Sequence, residues 1–190
     1  DEFLAMLAHE LRNPLSPVAT SVQIVKRSQP DQPLVKKAVV TMERQIHHLT
    51  RLVDDLLDVS RITTGKIHLQ KEDTDLQRIV EQALESVQHH IDQRGHTVTI
   101  NCPSIPFRGD PARLQQVFGN LISNAAKYTP KGGKIGITLS RENNYAVFCV
   151  EDNGIGLSKD ALTKVFQVFY QEKRFAEGTG LGIGLALVKI

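Results

Sequence analysis

Cysteine is scarce in this chain: Cys102 and Cys149 are the only two, too few for a disulfide framework and in keeping with a reducing cytoplasm. Both are expected to be buried in strands. An excess of one charge is missing too, because 23 Lys+Arg stand against 21 Asp+Glu. No net field of that size draws a protein to nucleic acid or anionic lipid, so neither is expected as a partner. No apolar run approaches the roughly 20 residues that span a bilayer. The first residues, Asp1-Glu2-Phe3-Leu4, lack the basic start of a secretory signal. Membrane attachment is therefore expected only through regions outside this sequence. Two phosphate-binding signatures are also absent. GxxxxGK[ST] does not occur, which removes the P-loop, and Gly178, Gly180, Gly182 and Gly184 neither fit GxGxxG nor follow a strand directly.

What the chain has is length and apolar content for a core: 190 residues, 41% hydrophobic, enough for one ordinary domain or two small ones. Its two halves read differently. From Phe3 to about Ile62 there is no glycine and the only strong break is SQPDQP at 28–33, which predicts a helical hairpin. In the second arm Val35, Val39, Met42, Ile46, Leu49, Val53 and Leu56 alternate steps of four and three, an apolar heptad seam. The first arm offers Leu4, Leu7, Leu11, Leu15, Val18, Val22 and Val25, with two successive steps of four near Pro14 that act as a stutter beside His9. Leu52, Leu57, Val59 and Ile62 lie beyond the narrow stripe and need cover as well. A dimer closing a four-helix bundle would supply it; packing against the rest of the chain is the other solution.

After Gly65 glycine becomes frequent and helix and strand patterns alternate, so a boundary is expected at 63–66, giving domains 1–63 and 66–190. KIHLQKE (66–72) and HTVTINC (96–102) alternate as strands, with an amphipathic helix at 75–91 between them. A short strand, IPFRG, precedes Asp110-Pro111, an N-cap with proline at the first helical position, which starts a helix running to about 127. KIGITLSR and YAVFCVED form a hairpin across Asn143-Asn144, residues that tolerate positive φ. The fold class expected is α+β, a helical hairpin followed by a two-layer α/β sandwich, and the antiparallel last pair argues against a doubly wound sheet. The closing LALVKI reads as a helix still in progress in a longer chain.

Three stretches carry chemistry. In DNGIGL (152–157) an acid leaves a strand just before two spaced glycines. That arrangement lets backbone pass close to a flat ligand while the carboxylate accepts a hydrogen bond, and it would also serve as a glycine-rich turn with a capping aspartate. EGTGLGIGLALVK (177–189) runs glycines straight into an apolar helix, whose first N–H groups can hold phosphate oxygens. In NLISNAAKYT (120–129), Asn120, Asn124 and Lys127 share one helical face. The stripe is either a plain polar surface or two amide oxygens for Mg²⁺ beside an ammonium for phosphate. The adjacent pairs His47-His48 and His89-His90 lack the i, i+4 spacing that chelates one metal and belong on solvated or half-buried faces.

HELRNPL (9–15), NLISNAAKYT, DNGIGL, VFQVFYQ and GTGLGIGL, in that order, resemble the H, N, G1, F and G2 boxes of sensor histidine kinases, over nearly the whole chain. The forms HELRNP and GLGIGL are similar to those of hybrid sensors with an attached receiver domain. The resemblance implies a dimerisation and histidine-phosphotransfer hairpin followed by a GHKL-type ATP-binding domain of the Bergerat fold. It implies His9 as phosphoacceptor, Glu10 as the carboxylate that orients the ring, and Asn13 as the residue that orients water for dephosphorylating the partner regulator; Asn13-Pro14 would also make a simple helix cap. It makes Asp152 the acceptor from the adenine amino group, with Gly154 and Gly156 at the pocket floor. Asn124, supported by Asn120, would hold Mg²⁺, Lys127 would meet phosphate, and Tyr128 would lie along the purine. Residues 157–179 would form a lid, and Thr179, Gly180, Leu181, Gly182 and Gly184 would present backbone to the phosphates of ATP. Phe166 and Phe169 fit the F box and suit core packing equally well. The implied partners are a second copy of the chain and a response-regulator receiver domain. The ATP boxes alone would equally suit a GHKL ATPase of the chaperone or mismatch-repair kind, or a nucleotide-binding scaffold; HELRNPL is what neither of those explains.

Overall fold

A computed structural model of the chain describes residues 2–28, 32–63, 68–171 and 182–188. The chain divides into two compact units, one of Asp1–Lys66 with Gln167–Ala186 and one of Ile67–Phe166 with Leu187–Ile190.

The first unit is built on two long helices, α1 (Glu2–Arg27) and α2 (Pro33–Thr63). They form the expected hairpin. α1 stays helical through Pro14 and Pro17, and Pro14 is fully buried. The seam of α2 separates into two rows. Val35 is buried, and Met42, Leu49 and Leu56 are half-buried, whereas Val39, Ile46 and Val53 are 38%, 53% and 47% exposed. One row is thus closed within the chain and the other remains an apolar stripe facing solvent. Leu52 follows the second of the two solutions: it is only 4% exposed within the single chain. Leu57 remains 49% exposed, and the side chains of Val59 and Ile62 lie outside the described residues.

The second unit starts with β1 (Glu72–Asp75), α3 (Leu76–Arg94), β2 (Thr97–Asn101), β3 (Pro106–Gly109) and α4 (Pro111–Tyr128). It continues with β4 (Lys134–Glu142), β5 (Tyr145–Asp152) and the short α5 (Lys159–Lys164). The remaining helix, α6 (Gly184–Val188), follows residues 172–181, which lie outside the described set. β2 pairs parallel with β4, β4 pairs antiparallel with β5, and β1 and β3 form a separate antiparallel ribbon. A parallel pair needs a crossover, and α4 lies on the one between β2 and β4.

The first strand differs from expectation. Of KIHLQKE, residues 68–71 lie outside the ladder, which is Glu72–Asp75, beginning with Glu72 opposite Gly109, while Lys66 and Ile67 lie outside the described residues. The reason lies in the partner, because β3 ends at Gly109 and the next residue caps α4. Asp110 accepts from Arg113 N at 3.2 Å as that cap and from Gln70 N at 2.9 Å, so the segment before β1 is held by a side chain instead of a ladder.

Capping explains the helix limits. Asp75 accepts from Gln77 N at 2.8 Å, and Gly95 closes α3 in the left-handed conformation with φ 64°. The Ser104 hydroxyl, above all, and then the N–H groups at the helix start hold the Asp75 carboxyl below its ordinary range, against a smaller opposing effect of burial. For Asp110 burial acts upward, but the N–H groups of Gln70 and Arg113 outweigh it and the net direction is also down.

The core is two layers. Leu76, Ile79, Val80, Ala83, Val87 and Ile91 of α3, at helical spacing, and Phe118, Ile122, Ala125 and Ala126 of α4 pack with the alternating Ile135, Ile137 and Leu139 of β4. Phe118 meets Phe148 of β5 with ring centroids 4.1 Å apart. The cysteines are not buried as expected. Cys102 is half-buried in the loop just past β2, and Cys149 is exposed on β5, where strand alternation turns it away from the helices. Burial pushes the Cys102 thiol up from its ordinary value.

Candidate functional site

The register of the sheet decides what meets what. Asp152, the last residue of β5, lies opposite Ile135 at the start of β4, and α4 ends only a short turn before β4 begins. The topology therefore delivers the end of α4 and the end of β5 to the same place. Asp152, far from Lys127 in sequence, joins the α4 residues there.

At that place Asp152 is exposed, and its Oδ1 accepts from Gly154 N at 2.8 Å. Ile155 N donates to Tyr128 O at 3.3 Å, stitching the loop to the last residue of α4. Gly154 is required by this close approach. A Cβ there would stand 2.7 Å from Tyr128 O and 2.5 Å from Asp152 Oδ1. Gly156 has open space around it but a φ of 62°, so its requirement is conformational. The sequence left a ligand-binding loop and a structural turn both open; the loop has the geometry of an Asx turn and keeps the second carboxylate oxygen of an exposed residue on its surface.

On α4, Asn120, Asn124, Lys127 and Tyr128 are all half-buried. Lys127 Nζ stands 4.7 Å from the centroid of the Tyr128 ring, so the ammonium and the aromatic face are neighbours. The end of this helix is tied down by residues the sequence did not single out. Arg94 Nη1 donates to Lys127 O at 2.9 Å and to Thr129 O at 3.3 Å, and His96 Nε2 donates to Ala126 O at 2.9 Å. Asn153 Oδ1 accepts from Lys134 N at 2.7 Å. Only Asn153 carried a sequence signal, as the middle of DNG, where asparagine folds back on nearby backbone.

The other expected residues are placed separately. His9, Glu10 and Asn13 lie within α1; the side chains of His9 and Glu10 are outside the described residues, and Asn13 is exposed. Thr179, Gly180 and Leu181 also lie outside them. Gly182 has φ 68°, its carbonyl accepts from Phe169 N at 3.0 Å, and Gly184 opens α6. Phe169 itself sits at φ 67°, and Phe166 is 45% exposed. The expected lid contains an ordered helix, since Ser158 Oγ caps α5 by accepting from Ala161 N at 3.1 Å and Ala161 is fully buried. His47 Nδ1 bonds to Glu43 O of its own helix at 3.2 Å, and His89 and His90 are exposed. Among the described residues no helix is long and apolar enough to cross a membrane.

An acidic strand end, a close-packed glycine loop and a polar helix stripe thus meet on a two-layer α/β sandwich, in a chain that begins with a long helical hairpin. Comparison with known proteins gives the class. The His Kinase A (phospho-acceptor) domain family matches residues 1–65, and the histidine kinase-, DNA gyrase B- and HSP90-like ATPase family matches residues 109–190. The chain belongs to the sensor histidine kinases. It is 32% identical to sensor protein QseC of Escherichia coli (strain K12) over 189 residues, 98% of this chain and 41% of that protein. Among solved structures it resembles Acinetobacter baumannii histidine kinase AdeS, at 29% identity and TM-score 0.68, covering 95% of this chain and 83% of that one. It also resembles full-length ShkA in complex with AMPPNP, at 28% identity and TM-score 0.68, covering 99% of this chain and 40% of that one. The chain spans 14% to 50% of the length of the curated relatives it matches.

Proposed function

We propose that this chain is the kinase core of a two-component sensor: it binds ATP with Mg²⁺, phosphorylates His9, and passes the phosphoryl group to an aspartate of a response-regulator receiver domain. The observation that carries the reading is the joining of Asp152, Gly154 and the Lys127-Tyr128 end of α4, in a chain whose first residues match the phospho-acceptor family.

The residues present fit the nucleotide. Asp152 keeps an acceptor for a purine amino group, because Gly154 N engages Oδ1 alone. Tyr128 offers a flat ring, and Lys127 a cation one residue from it for phosphate. Asn124 and Asn120, one turn apart on α4, offer neutral oxygens suited to a Mg²⁺ that keeps waters and phosphates in its remaining positions. Mg²⁺ bound there would neutralise charge on the transferring phosphates. Thr179, Gly180, Leu181, Gly182 and Gly184 are proposed to offer N–H groups to the phosphates.

His9 serves as the nucleophile through a neutral ring nitrogen attacking the γ-phosphorus in line as the bond from that phosphorus to the bridging oxygen breaks and ADP leaves, with Glu10 orienting the ring and taking its proton. Asn13, one helical turn on, is proposed to position water when the regulator is dephosphorylated. The exposed row Val39, Ile46 and Val53 supports a homodimer through the hairpin. We assign residues 1–63 to the phosphotransfer hairpin and 66–190 to the ATP-binding domain, and place the protein in the cytoplasm. Transfer of labelled phosphate from MgATP to the chain, abolished in His9→Gln, tests the reading.

A further inference from the structure

The last carbonyls of a helix have no partner within it and must find one elsewhere. At the end of α4 each partner is identifiable. Ala125 O accepts from Thr129 N at 3.1 Å, Ala126 O from His96 Nε2 at 2.9 Å, Lys127 O from Arg94 Nη1 at 2.9 Å, and Tyr128 O from Ile155 N at 3.3 Å. The same Arg94 nitrogen reaches Thr129 O at 3.3 Å. One guanidinium therefore brackets Tyr128, holding the carbonyls on both sides of it. Any rotation of the backbone at Tyr128 large enough to re-aim its ring breaks at least one of these bonds. Arg94 is itself fixed from the same loop, because its carbonyl accepts from Gly132 N at 3.0 Å. The positive charge also lies at a helix C-terminus, where the macrodipole favours it.

From this bracket we infer that Arg94 is a positioning residue for the nucleotide: it does not touch ATP, but sets the direction in which Lys127 and Tyr128 present their side chains. The inference rests on the nucleotide reading of Asp152, Lys127 and Tyr128. Arginine suits the task because the two N–H bonds of one guanidinium nitrogen are fixed in the plane of the group, so little freedom is lost when that nitrogen bridges two fixed acceptors. The bond to Lys127 O is exposed and the one to Thr129 O part-buried, so water can replace the first when the side chain is removed and only the second is lost. The orientation, and not the fold, is what removal loosens.

The test compares the unsubstituted protein with Arg94→Ala, Arg94→Lys and Asp152→Asn. The readings are the dissociation constant for ATP by calorimetry, KM for ATP and the autophosphorylation rate at saturating ATP, and the thermal midpoint. The expected result for Arg94→Ala is a dissociation constant and KM raised about tenfold, the scale of one charge-assisted hydrogen bond. The saturating rate should stay within about twofold, and Arg94→Lys should recover part of the affinity. Affinity unchanged in Arg94→Ala but weakened in Asp152→Asn would overturn the inference while leaving the nucleotide reading intact. A lowered thermal midpoint with the saturating rate lost in proportion, and no recovery in Arg94→Lys, would make the role structural and overturn it as well. Affinity unchanged in Asp152→Asn would defeat the nucleotide reading itself, and the inference with it.

Discussion

Asp152 Oδ1 accepts the backbone N–H of Gly154 at 2.8 Å, and the absence of a side chain on Gly154 is what lets Tyr128 O come within 2.7 Å of where its Cβ would be. The aspartate proposed for the purine and the tyrosine proposed to lie along it thus meet through one glycine. Asp152→Asn keeps an oxygen for Gly154 N but replaces the free acceptor with a donor. The expected outcome is ATP binding weakened about tenfold to a hundredfold, the range for a hydrogen bond to a charged group, with the thermal midpoint unchanged. Calorimetric titration with ATP checks it.

Gly154→Ala should act differently, because the added methyl meets backbone as well as the Asp152 side chain. Both stability and nucleotide affinity are expected to fall, with a stability loss of about 1–3 kcal/mol from overpacking. Denaturant unfolding and ATP titration on the same sample separate this from the Asp152→Asn result.

The hairpin stripe gives a prediction about assembly. Ile46 is 53% exposed in the middle of the row formed with Val39 and Val53. Ile46→Glu should convert a dimer to a monomer in sedimentation without loss of helix by circular dichroism. A dimer that survives the substitution would place the interface elsewhere.

Acid should loosen the second unit through its caps. Asp75 and Asp110 both have carboxyls held below the ordinary 3.8 in the folded protein. A group lowered by folding adds stability that is present above its unfolded value and lost as pH falls through the folded one. The thermal midpoint should therefore be level near neutrality and fall below about pH 4. In Asp75→Asn, which retains a capping oxygen but does not titrate, that fall should be shallower.

Much of this was legible in the sequence because local chemistry carried it. Asp110-Pro111 marked the start of α4 and Asn143-Asn144 the hairpin turn, where Asn143 alone takes a positive φ, of 54°. Spacing also placed Asn120, Asn124 and Lys127 on one helix and the DNG residues in a turn, which is where they lie. What spacing could not show was set by distant partners. The limits of β1 follow from where β3 ends, and Leu52 is buried within the single chain although it lies off the heptad seam. Arg94 acts across 33 residues on a carbonyl, a target that has no side-chain identity to read.

The central claim is that His9 receives phosphate from ATP. The most direct measurement is incorporation of γ-labelled phosphate from MgATP into the protein and into His9→Gln, followed by exposure of the labelled chain to acid and to alkali. A phosphohistidine predicts label that is lost in acid, kept in alkali and absent from His9→Gln. Label that persists in His9→Gln, or a protein that binds ATP and acquires no label, would contradict the account.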